Sequence, residues 1–229
     1  MIRVDFQKQL TEMRDDLLAM GSRVDSAIAQ AVQALVDRNV DLAHEVIAGD
    51  MQINQAHRNL EEKCLALIAT QQPMAGDLRF ILSVVIMAYE MERMGDHAEG
   101  IAELAIRLAD QPHIKPLIDI PRMAEKARWM LKQELQAFVD RDITRAKAIA
   151  AEDDEMDALY DQIFRELLVL MMGDPRIITR ATYLLWVAHN LERIADRATN
   201  LGERIVFLVT GDVAELNPER QRHEAEGRK

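Results

Sequence analysis

The chain has 229 residues, and 49% of them are hydrophobic, enough to bury a full core, but only 4% are aromatic, so that core is aliphatic and methionine-rich. Gly (9) and Pro (6) are too scarce for an all-β chain or a long flexible linker. A net charge of −11 disfavours nucleic acid and anionic membrane surfaces, and a lone cysteine excludes an internal disulfide, a thiolate zinc site and a two-cysteine redox motif. From about Asp5 to Asp37, apolar residues recur at steps of three and four (Leu17, Gly21, Val24, Ile28, Ala31, Leu35), the seam of a bundle helix. A second helix is predicted from Asp41 to Thr70, ending at Gln71-Gln72-Pro73, and a third from Asp77 to Asp110. Asp41 and Asp77 are the expected N-caps. Three prolines then mark a linker. Three more helices are predicted over Pro121–Val139, Asp142–Met172 and Asp174–Val209, the last opened by Pro175.

The two halves repeat. Ala34-Leu35-Val36-Asp37-Arg38 matches Ala137-Phe138-Val139-Asp140-Arg141, and Glu92-Arg93-Met94-Gly95-Asp96 matches Glu192-Arg193-Ile194-Ala195-Asp196. The expected fold is all-α, two tandem three-helix bundles related by internal duplication. The first bundle covers 1–111, the linker 112–120 and the second bundle 121–211. A polar tail over 212–229 is expected to be disordered. The N-terminus carries no apolar secretory segment. The longest apolar run, Val84 to Tyr89, falls far short of the ~20 residues that span a bilayer. A cytoplasmic protein without membrane insertion is expected.

Candidate chemistry sits in acidic pairs one helical turn apart: Glu92 with Asp96, Glu192 with Asp196, and Asp153 with Asp157. The counterpart of the last pair in the first half is Asp50 with Asn54. Counting residues outward from each interhelical turn, at ~1.5 Å per residue, places the pairs of the second and third helices at one height in each half. Such a convergence of carboxylates suits a divalent cation (Mg, Mn, Fe or Zn), or else forms a solvated acidic face. His97 and His189 stand close enough to offer nitrogen. On charge alone, Asp157 in place of Asn54 predicts tighter cation binding in the second half. Arg93 and Arg193 are read as ion-pair partners or docking contacts. No Glu is followed three residues later by His, which argues against a carboxylate-bridged di-iron enzyme. No catalytic constellation is found.

Two three-helix repeats, each carrying Glu-Arg-(Met/Ile)-(Gly/Ala)-Asp, with Pro73-Met74-Ala75-Gly76-Asp77-Leu78-Arg79 opening the third helix, resemble the PhoU family. The resemblance covers Asp5 to Gly211. It implies a non-enzymatic regulatory adaptor of bacterial phosphate uptake and a negative regulator of the phosphate-starvation response. Its implied partners are the ATPase subunit of the phosphate ABC transporter, a phosphate-sensing histidine kinase and a second copy of the chain. It also implies metal held by Asp50, Glu92 and Asp96 in one bundle and by Asp153, Asp157, Glu192 and Asp196 in the other, with docking contributed by Asp77 and Arg79. A metal-binding or metal-storage helical protein is the alternative reading.

Overall fold

The computed structural model describes residues 2–216. Its elements are α1 (Ile2–Asp37), α2 (Val40–Gln71), α3 (Ala75–Leu108), α4 (Asp119–Asp140), α5 (Ile143–Ala150), α6 (Asp153–Gly173), a 3₁₀ turn (Pro175–Ile177) and α7 (Ile178–Thr210). The expected tail beyond 212 is therefore described only to Leu216, whose N–H donates to Glu203 (2.9 Å); residues 217–229 lie outside the described residues.

The first repeated window is a helix–turn–helix joint. Arg38 and Arg141 adopt left-handed backbone conformations (φ 55° and 53°). Each lets the next N–H reach back to close the preceding helix, Asn39 to the Ala34 carbonyl and Asp142 to the Ala137 carbonyl, both at 2.9 Å. The same two residues then open the next helix. Asn39 Oδ1 accepts from the Leu42 N–H and Asp142 Oδ1 from the Arg145 N–H, each at 3.0 Å. The N-cap of α2 is thus Asn39, and Asp41 lies inside the first turn. Asp77 is likewise in the first turn of α3, whose N-cap is Met74 with no side-chain bond.

The helix expected over Asp142–Met172 is interrupted at Ala151–Glu152. The backbone stays right-handed there, but the Glu152 N–H bonds to Ile149 and the Glu155 N–H to Glu152, three residues back instead of four. Lys126 of α4 bridges Glu152 and Glu155 across the joint. Three acidic residues, Asp153, Asp154 and Glu155, fill the first turn of α6, where the helix dipole favours them. The fourth helix begins at Asp119, two residues before Pro121.

Helices α1, α3, α4 and α7 form the centre, with α2 laid against α1 and α3 and with α5 and α6 against α4 and α7. One continuous apolar core runs through both halves, from Leu17, Val24 and Ile28 to Leu191, Leu201 and Ile205. The two repeats meet along α3 and α7, which run antiparallel: Arg79 Nε donates to the Leu208 carbonyl, Ser83 to the Arg204 carbonyl (both 3.3 Å), Arg197 to Glu90 (2.8 Å), and His97 Nδ1 lies 2.8 Å from Asn190 Oδ1. Glu90 and Asn190 are repeat equivalents, as are His97 and Arg197, so this seam has pseudo-two-fold symmetry centred near Arg93 and Arg193. On the far side Asp25 of α1 forks onto Arg128 of α4 (2.8 and 3.0 Å) and reaches Lys132 (3.0 Å). Asp25 and Arg128 are themselves equivalent positions, so the duplicated scaffold closes on an ion pair between its own copies.

Candidate functional site

The second repeated window lies on α3 and α7, flanking the pseudo-axis. In the first half, Asp50 of α2 is buried (7% exposed) against the half-buried Asp96 and Glu99 of α3. The candidate ligand atoms of these three carboxylates all lie within 4.8 Å of one another. Asn54 Nδ2 donates to Asp50 Oδ2 (2.6 Å), while Asp50 Oδ1 is buried without a hydrogen bond. The absence of a side chain at Gly95 permits this approach: a Cβ there would meet Asp50 Oδ1 at 3.1 Å.

Like charges in a half-buried setting resist ionisation. Burial, and then Asp96, push the Asp50 carboxyl above the usual carboxylate range. Glu92 rises for the same two reasons, partly opposed by His57 and Arg93. Glu99 rises through burial and then Asp50, Glu103 and Asp96. Arg93 donates to Asp96 (2.6 Å). Burial lowers His97, which turns Nδ1 to Asn190 and so bridges to the other half.

In the second half, Asp153 opens α6 and is buried (2% exposed), Asp157 follows one turn later, and Glu192 and Asp196 lie one turn apart on α7. Arg193 spans the last two: Nη1 lies 2.9 Å from Asp196, and Nη2 donates to Glu192 Oε1 (3.1 Å). His189 Nδ1 lies 3.5 Å from Glu192 Oε2, and burial followed by the Arg193 charge lowers its pKa.

The acidic pairs expected from the sequence thus lie on α2 and α3 in the first half and on α6 and α7 in the second, and the ligand atoms of Asp50, Asp96 and Glu99 are brought together. Glu92 stands beside the tight cluster, and Glu99 is the member that the motif pattern missed. Its signal was present: Glu99 is three residues after Asp96 and seven after Glu92, on the same helical face. A ring pair also accompanies each site, with its members exchanged between repeats. His57 of α2 packs on Tyr89 of α3 (6.2 Å), and Tyr160 of α6 packs on His189 of α7 (6.3 Å). The remaining docking candidates, Asp77 and Arg79, lie at the opposite end of α3. Arg79 there caps the last turn of α7 through the Leu208 carbonyl. Among the described residues no helix is long and apolar enough to cross a membrane.

Comparison with known proteins agrees with the duplicated architecture. The model of the PhoU domain matches this chain twice, at residues 17–105 and 120–205. A phosphate-specific transport system accessory protein PhoU homolog from Aquifex aeolicus is 40% identical over 90% of this chain and 93% of its own length. The crystal structure of PhoU from Pseudomonas aeruginosa superposes with a TM-score of 0.86 at 36% identity, over 90% of this chain and all of that one. The phosphate transport system regulatory protein PhoU from Streptococcus pneumoniae gives a TM-score of 0.85 at 31% identity, over 92% of this chain.

Proposed function

Since this chain belongs to the PhoU family, we propose that it regulates phosphate transport as an adaptor, binding partners without turnover. The observation carrying this reading is the match of both repeats, over nearly the whole chain, to relatives named as phosphate-transport accessory and regulatory proteins. In this reading the chain links the ATPase subunit of the phosphate ABC transporter to a phosphate-sensing histidine kinase in the cytoplasm and holds the starvation response off when phosphate is plentiful. The half-exposed seam carrying Arg93 and Arg193 supports docking there, since a guanidinium fork suits carboxylate groups of a partner. The test is deletion of the gene in high phosphate, with co-purification of the tagged protein against the two partners. Derepressed starvation genes and capture of both partners are expected. Unchanged expression together with capture of neither rejects the adaptor.

The acidic faces add a second element: a divalent cation held by Asp50, Asp96 and Glu99, and by the carboxylates of the second half. The donor set is all oxygen and suits Mg²⁺, Mn²⁺ or Fe²⁺. The buried, unbonded Asp50 Oδ1 supports this fit, because a carboxylate oxygen among like charges is stabilised by a cation. When bound, such an ion supplies charge neutralisation that fixes α2 on α3.

A further inference from the structure

The duplication lets each repeat serve as a reference for the other, and the two differ where their first two helices meet. In the second repeat that junction holds a paired cluster. Lys126 of α4 reaches Glu152 and Glu155 at the α5–α6 joint, and its Nζ lies 5.2 Å from the ring centroid of Trp129. The register that pairs Asp25 with Arg128 and Asp50 with Asp153 puts Arg23, Ser26, Gly49 and Gln52 at the equivalent positions on α1 and α2. The cation is kept there, but both carboxylates and the ring are gone.

These same residues, Arg23, Ser26, Gly49 and Gln52, line an open cavity of about 310 Å³ between α1 and α2. A Cβ built on Gly49 would meet nothing within 4 Å, so the direction that Glu152 takes in the second repeat is open space in the first. Among the described residues Arg23 makes no ion pair. Its Nη1 donates to the Gln52 carbonyl (3.4 Å), and Glu45, which also lines the cavity, does not reach it. A second cavity of about 330 Å³ shares Arg23 and Gln52 and continues to Asp16, Asn59 and Lys63. Lys63 is already paired with Asp16 (2.5 Å), which leaves Arg23 as the cation without an acid among the described lining residues.

Together the two cavities make a groove that follows α1 from Asp16 to Gln30, about 20 Å at ~1.5 Å per residue. That length holds roughly six residues of extended chain. The amides of Gln30, Gln52 and Asn59 each carry a donor and an acceptor, the two groups that a peptide unit presents.

We propose that the α1/α2 groove docks an acidic segment of a partner protein, which brings to Arg23 the carboxylate, and to the space beside Ser26 the apolar ring, that the second repeat supplies to Lys126 from within. This rests on the adaptor reading above and gives it a contact surface apart from the α3/α7 seam. The length of the groove selects a segment of chain over a free anion, and the unpaired charge of Arg23 selects an acidic one. A guanidinium suits this role, since it can fork onto both oxygens of a carboxylate.

The experiment titrates the full chain, by calorimetry, with the purified ATPase subunit of the phosphate transporter and with the purified full-length kinase in detergent, while circular dichroism monitors folding. Arg23→Glu should weaken one of the two complexes at least about tenfold, because like charges then face each other. Ser26→Trp, and separately Gly49→Glu combined with Gln52→Glu, place in the first repeat what the second already carries, and should weaken the same complex about tenfold with helicity retained. Lys8→Glu makes the same change of charge on an exposed part of α1 outside the groove and should leave both affinities in place. Equal weakening by Lys8→Glu overturns the proposal. Groove variants that alter only self-association in sedimentation give the groove to a second copy, and variants that alter only the binding of inorganic phosphate make it a free-anion site; either result overturns it too. Binding of neither partner by the unaltered protein rejects the adaptor reading and this inference together, whereas undiminished binding by every groove variant defeats this inference alone.

Discussion

Glu134 shows how far one side chain can depart from its surroundings. It sits on α4 with none of its surface exposed, both oxygens lack hydrogen bonds, and a Cβ at Gly202 of α7 would meet Oε1 at 2.8 Å. The first repeat has Ala31 and Ala102 at these positions, two buried alanines. Burial is the cause that raises the Glu134 pKa, to about 9. A group whose pKa is higher folded than unfolded contributes most below the unfolded value, and its contribution falls as pH rises toward 9. From about pH 4.5 to pH 7 the loss approaches roughly 3 kcal/mol, at 1.36 kcal/mol per unit. Glu134→Leu should therefore stabilise the protein more at pH 8 than at pH 5, with the gain differing by roughly 8–16 °C in Tm. Thermal melts at the two pH values measure it, and an equal gain at both would show that Glu134 does not titrate differently on folding. Nothing in the sequence around Glu134 distinguishes it from a solvated helical glutamate, because its burial depends on Gly202, 68 residues away. Glu99 differs in that its helical spacing places it on the face of Glu92 and Asp96, even though the motif pattern skipped it.

At the scale of elements, caps decide where helices start, and a cap is a geometric property of a short joint. Asp41 fits the composition of a cap, but the left-handed turn at Arg38 delivers Asn39 to that position two residues earlier. Asn39→Ala should cost about 1 kcal/mol, while Asp41→Ala, which loses only a charge near the helix dipole, should cost a few tenths. Urea denaturation of the two variants distinguishes them, and equal losses would return the cap to Asp41. The interruption between α5 and α6 escaped the sequence reading for a related reason. The apolar period continues through Ile149, Met156 and Leu159, and the Ala151–Glu152 joint contains neither Gly nor Pro. The glutamates that Lys126 gathers at that joint belong to a contact with α4, which the local pattern does not encode.

At the scale of the molecule, the duplicated halves share one core and close on themselves, so they should unfold together. The Asp25–Arg128–Lys132 cluster ties α1 to α4 across the repeat boundary with side chains that are mostly buried at Asp25 (14% exposed). Burial alone would raise the Asp25 pKa, but the hydrogen bonds and charges of Arg128 and Lys132 outweigh it and hold the carboxyl below its ordinary value. A depressed pKa gives stability that is present above the unfolded value and is lost as pH falls through the folded one. Asp25→Asn should thus cost about 1–3 kcal/mol at pH 7, within a single transition, and progressively less as the pH falls below 4. Calorimetry at several pH values checks both points. A split transition would show that the halves are energetically independent, and a constant loss would remove Asp25 ionisation as the cause.

The sequence by itself determined the all-α class, the duplication and the two acidic faces. All three follow from periodicity: buried positions recur at helical spacing from Leu10 to Leu35 and again through α7, and the same spacing places Glu92 with Asp96 and Glu192 with Asp196. Only the tertiary structure decided which carboxylates meet, which arginine restrains them and how the halves join. Asp50 reaches α3 because Gly95 is there to receive it, Arg193 chooses two partners where Arg93 takes one, and α3 and α7 merge two bundles into one core. Each of these depends on the distance between helices far apart in the chain, whereas the hydrophobic period records only the face that each helix buries.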